Sequence, residues 1–367
     1  MDGFEFYLWA PEPSAHEIAL CNALASESER VSKVTYVVER DLSAERLEQG
    51  WSSGHLSSEF VLAPARGAAR ELVAASSANA IHVFSGIHGP PAVAEALKTA
   101  LGLRRRFGLL GGPRALDGST GLGRFVRAWR REGPLRGAAG FVLAVGCDSP
   151  HGRYRQDRIF PFAEFVGGAE HQMQSFVGKP RVTFLGRFTK ASGVNLFLEA
   201  VRRTPSDLHV EIAGAGPEEA AVHAAAMRGR NSPRYLGGSL PANRVRGLLA
   251  RTDILVAPAL ARGDEWGAAV GEALLQGAAV VATDRVGASV CLEAPWRGRV
   301  VRRLDAAAIA EAVESLIQSD ELRPQRRLLR ADWARRRLTG AAGARYLLDI
   351  LSHVYDAGER PKAFYEG

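Results

Sequence analysis

Apolar positions along this chain fall into two kinds of run. Short continuous runs, FEFYLWA (4–10), KVTYVV (33–38), AIHVFS (80–85), FGLL (107–110), FVLAV (141–145) and RIFPF (158–162), have the length and the β-branched and aromatic content of buried strands. Between them, stretches such as AHEIALCNALA (15–25) and PPAVAEALKTAL (90–101) repeat apolar residues at helical spacing. Alternation of this kind predicts a parallel sheet covered on both faces. It pauses at the glycine-rich VGGAEHQMQSFVGKP (166–180) and restarts with RVTFLG (181–186), LHVEIAG (208–214), DILVAP (253–258), AAVVAT (278–283) and RVVR (299–302). From about Ala306 to Tyr355 the pattern predicts two or three helices with Arg-rich polar faces. The expected class is therefore α/β, with two Rossmann-like, doubly wound domains facing across a cleft: 1–165, a linker at 166–180, and a second domain from 181.

Size and composition agree with that division. A chain of 367 residues exceeds what one core usually supports, and 46% apolar residues can fill two. Three widely spaced cysteines, Cys21, Cys147 and Cys291, make neither a disulfide framework nor a zinc site, which points to a reducing cytoplasm. The start, MDGFEFYLWAPEP, is acidic where a signal peptide is basic, and no run of about 18 apolar residues occurs, so neither cleaved secretion nor membrane spanning is expected.

The formal charge of +7 is unevenly spread. Residues 98–158 carry 13 Lys and Arg against 4 Asp and Glu, within an otherwise acidic first half. There the glycine-rich stretch 113–137 reads as a long loop with a helical turn, and Phe125 and Trp129 interleave with Arg124, Arg127, Arg130 and Arg131. Such a surface, spanning Arg104–Arg136, suits an anionic membrane face or a lipid-diphosphate acceptor; a solvated face is the plainer reading. No nucleic-acid-binding module accompanies the charge, so nucleic acid is not an expected partner.

Candidate chemistry lies in the second half. FLGRFTKASGVNLFLEA (184–200) reads as a strand, a turn at Gly186, a loop bearing Arg187 and Lys190, and a helix from about Val194, a combination suited to phosphate. EIAGAGPEEAA (211–221) is a strand entering a Gly214-Ala215-Gly216-Pro217 turn, with Glu219 where a dinucleotide fingerprint has its third glycine. In DEWGAAVGEALLQGAAVVATD (264–284), Val270, Ala273, Leu274 and Gly277 define the buried stripe of a short helix and leave Glu272 off it. Asp264 and Glu272 together can accept hydrogen bonds from vicinal hydroxyls, or can be a helix cap and a surface carboxylate.

The run DEWGAAVGEALLQGAAVVATDRVGAS, with TDILVAPAL, EIAGAGPE and FLGRF before it, resembles the signature of retaining glycosyltransferase family 4 of the GT-B fold, over about 181–300. The resemblance implies a metal-independent transferase with no cofactor, moving a sugar from a nucleoside-diphosphate sugar to a glycan, lipid-linked or small-molecule acceptor. It implies a place in polysaccharide, glycolipid or glycosylated-metabolite synthesis, in the cytoplasm or peripherally on the inner membrane. It also implies a second domain to about 345, and a tail, 346–367, that packs back on the first. Glu272 would then hold the donor ribose, Asp264 would take the first acidic place of the E-x7-E pattern, and Arg187, with Lys190, would meet the diphosphate. Gly287-Ala288 would complete that loop. Gly186, Ser192, Gly214, Gly216, Pro217, Trp266, Gly267 and Ala268 would line the donor site, joined by Ser14 and His16 from the entry turn PEPSAHEIAL (11–20). On the acceptor side His88 is the candidate for polarising a hydroxyl, whereas His82 reads as a buried strand residue. Departures from the family pattern are Ser192 for a lysine, Asp for Glu at 264, and Gly111-Gly112-Pro113 for a histidine. These keep two alternatives open: a degenerate GT-B protein that binds nucleotide, glycan or partner without transfer, and a nucleotide-sugar epimerase.

Overall fold

A computed structural model describes residues 3–27, 29–42, 59–62, 64–65, 67–85, 91–111, 133–146, 154–167, 178–227, 229–261 and 266–366. The described residues up to Gly167, together with Thr339–Gly367, form one compact unit, and Gly168–Leu338 forms the other. The second unit therefore ends at Leu338, some residues before the expected 345.

In the first unit the strands are β1 (Phe4–Ala10), β2 (Val31–Val38), β3 (Glu59–Leu62), β4 (Ile81–Ser85), β5 (Arg106–Gly111), β6 (Phe141–Val145) and β7 (Ile159–Phe162). They pair in parallel in the order β3-β2-β1-β4-β5-β6-β7. Helices α1 (Ala15–Ser26), α2 (Ala68–Ala75), α3 (Pro91–Gly102) and the single turn α4 (Leu135–Ala138) connect them. Trp9, Phe84 and Phe107 anchor the core on one side of this sheet, which explains why the strand runs read as continuous apolar blocks.

The second unit repeats the plan. Its strands are β8 (Arg181–Leu185), β9 (His209–Ala213), β10 (Arg234–Tyr235), β11 (Ile254–Ala257), β12 (Ala279–Thr283) and β13 (Gly298–Val301), all parallel, in the order β10-β9-β8-β11-β12-β13. Helices α5 (Val194–Arg203), α6 (Glu219–Ala226), α7 (Ala242–Arg251), α8 (Ala268–Leu275), α9 (Ala306–Ile317) and α10 (Pro324–Arg337) surround it. In each sheet the strand order reverses once, between β1 and β4 and between β8 and β11. In an open α/β sheet, ligands bind outside the strand carboxyl ends at this reversal.

The last helix, α11 (Gly340–Tyr355), belongs to the first unit and lies against α1. Its entry is fixed by a parallel bridge between Val166 and Thr339 and by the Gly340 N–H donating to the Val166 carbonyl at 3.0 Å. The expectation of Arg-rich polar faces on the late helices needs correcting for α10. Arg327 and Arg330 are buried, at 3% and 0% exposure, because both donate to backbone carbonyls inside the second unit. The 113–132 part of the expected loop, with Arg124 to Arg131, lies outside the described residues.

Candidate functional site

At the reversal of the second sheet, three backbone segments are locked together. After β8 the chain turns through Gly186, Arg187, Phe188, Thr189, Lys190, Ala191 and Ser192 into α5. Phe188 is fully buried and pins the loop, leaving Arg187 and Lys190 exposed on either side of it. Gly193, at φ +75°, caps α5, and a Cβ there would lie 1.9 Å from the Pro258 carbonyl oxygen, so the loop after β8 touches the loop after β11 backbone to backbone. The Leu260 N–H donates to Ala191 O at 2.8 Å and closes that contact.

Ser192 has turned into its own loop. Its Oγ accepts from the Thr189 N–H at 3.2 Å and lies 2.8 Å from the Thr189 carbonyl, while its N–H donates to Thr189 Oγ1 at 3.1 Å. Ser192 thus holds the turn that presents Lys190.

The turn after β9 is bound to the same loop. The Phe188 N–H donates to Ala215 O at 2.8 Å and the Glu218 N–H to Phe188 O at 3.0 Å, which seats Gly214, Gly216 and Pro217 beside Arg187. Glu219 opens α6 and accepts from the Tyr235 hydroxyl at 2.7 Å. A carboxylate at this helix start opposes a phosphate there. Among the described residues, the first turns of α5 and α8 carry no acidic residue and their cap residues make no side-chain hydrogen bond, so their N–H groups and positive dipole ends suit an anion.

Trp266, 2% exposed, and Gly267 lead into α8. The Ala288 N–H donates to Trp266 O at 2.8 Å, tying the 3-10 turn Gly287–Leu292 to the start of that helix. The Thr283 hydroxyl donates to Ala259 O at 2.6 Å and links the end of β12 to the loop after β11. Val270, Ala273 and Leu274 are fully buried, and Glu272 in the second turn is half-buried, off their stripe. The helix ends in a Schellman motif: Ala278 N–H to Ala273 O at 2.9 Å, Gly277 N–H to Leu274 O at 2.9 Å, with Gly277 at φ +75°.

Gly186, Arg187, Lys190, Ser192, Gly214, Gly216, Pro217, Trp266, Gly267, Ala268, Glu272, Gly287 and Ala288 therefore belong to one connected rim of the second unit. Ser14 and His16 occupy the corresponding place in the first unit, after β1. The Ser14 N–H donates to the Tyr36 hydroxyl at 3.1 Å, which in turn donates to Glu17 at 2.6 Å. His16 Nδ1 lies 3.2 Å from Phe165 O and its Nε2 3.7 Å from Glu164, whose carboxyl is pushed up to about 6 by burial. Asp264, Glu265 and His88 lie outside the described residues, as does Pro113. His82 is buried, accepting from Trp9 Nε1 at 3.2 Å with Ser76 Oγ 3.1 Å from its Nε2.

Sequence reasoning missed the support behind α8. Arg327 donates to Thr252 O, Ala250 O and Gln276 O at 2.6, 2.9 and 3.1 Å and pairs with Asp253 at 3.1 Å. Arg330 donates to Gly277 O, Trp296 O and Glu321 O at 2.9, 2.8 and 2.7 Å. The signal was present: 327, 330, 331, 334 and 338 follow the spacing of a buried helical stripe, with arginines at two of its places.

A parallel-sheet unit of Rossmann type, occurring twice and carrying its loops at the strand-order reversal, defines the class; comparison with known proteins narrows it. Residues 179–319 match the family described as Glycosyl transferases group 1. No curated protein matches the chain. Among solved structures, Anabaena HepE in complex with UDP is 14% identical with a TM-score of 0.70, covering 95% of this chain and 100% of that one. A glycosyltransferase from Rickettsia africae is 12% identical at a TM-score of 0.65, covering 96% and 98%. The apo form of the lipopolysaccharide outer core galactosyltransferase WaaB is 12% identical at 0.64, covering 95% and 99%. The chain has the GT-B fold. Among the described residues no helix is long and apolar enough to cross a membrane, and no group of three or more His, Cys, Asp or Glu is placed to hold a metal ion.

Proposed function

We propose that this protein is a retaining glycosyltransferase that moves a sugar from a nucleoside-diphosphate sugar to an acceptor hydroxyl. The observation that carries this reading is the connected rim at the β8/β11 reversal, where exposed Arg187 and Lys190 and two acid-free helix starts lie beside a half-buried Glu272. The match of residues 179–319 to a glycosyltransferase family and the UDP bound by the fold neighbour HepE support it.

In this reading the diphosphate lies between the starts of α5 and α8, and the nucleoside extends toward the α6 turn, where Glu219 disfavours negative charge. Glu272 accepts hydrogen bonds from the ribose hydroxyls, and Asp264 orients the sugar. As the bond to the anomeric carbon breaks, Arg187, Lys190 and the backbone N–H groups stabilise the charge growing on the leaving diphosphate, a role fixed donors perform without reorganising. The leaving phosphate takes the proton of the acceptor hydroxyl attacking from the same face. The acceptor is a glycan, lipid-linked or small molecule, and His88 is our candidate for polarising its hydroxyl. Because the cations are side chains, a chelator leaves turnover unchanged; loss of activity with EDTA and recovery with a divalent ion overturns that part.

The test is a panel of nucleotide-sugar donors offered with lipid-linked and soluble acceptors. Transfer with retained anomeric configuration is expected, and Glu272→Ala should reduce turnover at least about tenfold, the order of a lost charge-assisted hydrogen bond pair. Full activity in that variant sinks the assignment of Glu272. A degenerate, binding-only protein is the second reading, favoured by Ser192, whose hydroxyl is engaged within its own loop. It predicts donor binding with neither transfer nor hydrolysis across the panel. Isomerised donor without acceptor would instead identify an epimerase.

A further inference from the structure

The face of α10 that reaches into the second unit packs against α8 and holds the carboxyl end of that helix and the chain after the Gly287–Leu292 turn. Arg330 is fully buried, and its guanidinium makes three hydrogen bonds to carbonyls on three segments. One is Gly277 O, just past the carboxyl end of α8 and five residues after Glu272. Another is Trp296 O, on the chain that follows the Gly287–Leu292 turn. The third, Glu321 O, belongs to the short 3-10 turn before α10, and the Glu321 carboxylate stands 3.8 Å from the guanidinium. Around it Trp296 meets Trp333 edge to face at 6.3 Å, and the Arg297 guanidinium lies 4.2 Å from the Trp333 ring. A planar guanidinium with three fixed acceptors leaves the α8 carboxyl end little freedom to slide or tilt. A helix of eight residues is short and rigid, so a tilt at one end moves the other.

We propose that Arg330 is a positioning residue for the donor site, acting through α8 on Glu272. The inference rests on the reading of Glu272 as a donor contact. Its test uses the full chain and calorimetric binding of UDP, GDP, ADP and dTDP, at a temperature where thermal melts show every variant folded. For whichever nucleotide the wild type binds, Arg330→Met is expected to weaken binding at least tenfold. Leu316→Ala, a buried change in α9 away from the rim, is expected to lower the melting temperature without that loss. Combined with Glu272→Gln, Arg330→Met is expected to add less than a further twofold, because both act at one contact. Binding by Arg330→Met as tight as in the Leu316→Ala control overturns the proposal, as do effects that multiply in the double variant. Wild-type protein that binds none of the four nucleotides removes the donor-site reading itself and this inference with it. If Arg330→Met yields no folded protein, Arg330→Lys, which keeps the charge but reaches fewer carbonyls, takes its place. Independence from Glu272→Gln then overturns the proposal equally.

Discussion

His82 is sealed among Tyr7, Trp9 and Phe84, with both ring nitrogens engaged. Since Trp9 Nε1–H can only donate, His82 Nδ1 accepts, the proton sits on Nε2, and that N–H donates to Ser76 Oγ, which passes its own to Val73 O at 2.8 Å. Burial, with Arg105 adding to it, holds the imidazole down at about 4. A base depressed in the folded state contributes stability that is complete above the unfolded value near 6.5 and lost as pH falls through 4. This one group therefore accounts for about 3 kcal/mol of acid destabilisation. NMR titration of the ring should find it neutral at pH 5; protonation near 6.5 would contradict the packing described. At Lys190 the expectation concerns binding: Lys190→Ala should weaken nucleoside-diphosphate affinity more than Ser192→Ala, read by calorimetry, because the serine hydroxyl is spent on the loop. The place of Glu272 off the apolar stripe was legible from periodicity, whereas a role at a donor was implied only by the family resemblance. The role of Ser192 was not legible, because a hydroxyl–backbone exchange depends on the turn and not on spacing.

At the scale of elements, the strands that the apolar runs missed are β3 and β10, both at sheet edges. EFVL begins with a charge and is half solvated, and β10 is two residues long, so neither buries enough to leave a run. The interior strands were readable because both faces are covered. Helix α8 was readable from start to stop, its end marked by Gly277. Replacing that glycine by alanine puts a Cβ into a left-handed conformation and should cost about 1–2 kcal/mol. A drop in melting temperature of a few degrees, about 2–4 °C per kcal/mol for a domain of this size, is the expected readout. The buried arginines of α10 went unrecognised for a different reason. The helix carries so many arginines that charge alone suggests solvent; the stripe spacing marks 327 and 330 as buried places, but their carbonyl acceptors at Ala250, Thr252, Gln276, Gly277, Trp296 and Glu321 are set by the fold.

The whole chain is organised around a crossing that composition announces only on the first pass. The glycine-rich stretch 166–180 marked the exit from the first unit, whereas the return at Leu338–Thr339 has no such signature; a threonine cap and a glycine packed 2.5 Å from Ala19 O, measured to an ideal Cβ, do the work there. Removing residues 339–367 should therefore unfold the first unit, by exposing the α1 surface against which α11 packs, and leave the second folded. Loss of protease resistance confined to residues before 167 would be the mark of it; a protected first unit would refute it.

That arrangement sets an order of events on the ribosome. The first unit is made first, yet its last helix, α11, emerges only after all of residues 168–338. At translation rates of about 5–20 residues per second, the delay is on the order of 10–30 s, long enough for the second unit to fold. During that interval the part of α1 that α11 covers in the finished unit stays exposed, and an early-synthesised half engaged by chaperones until release is the expected outcome.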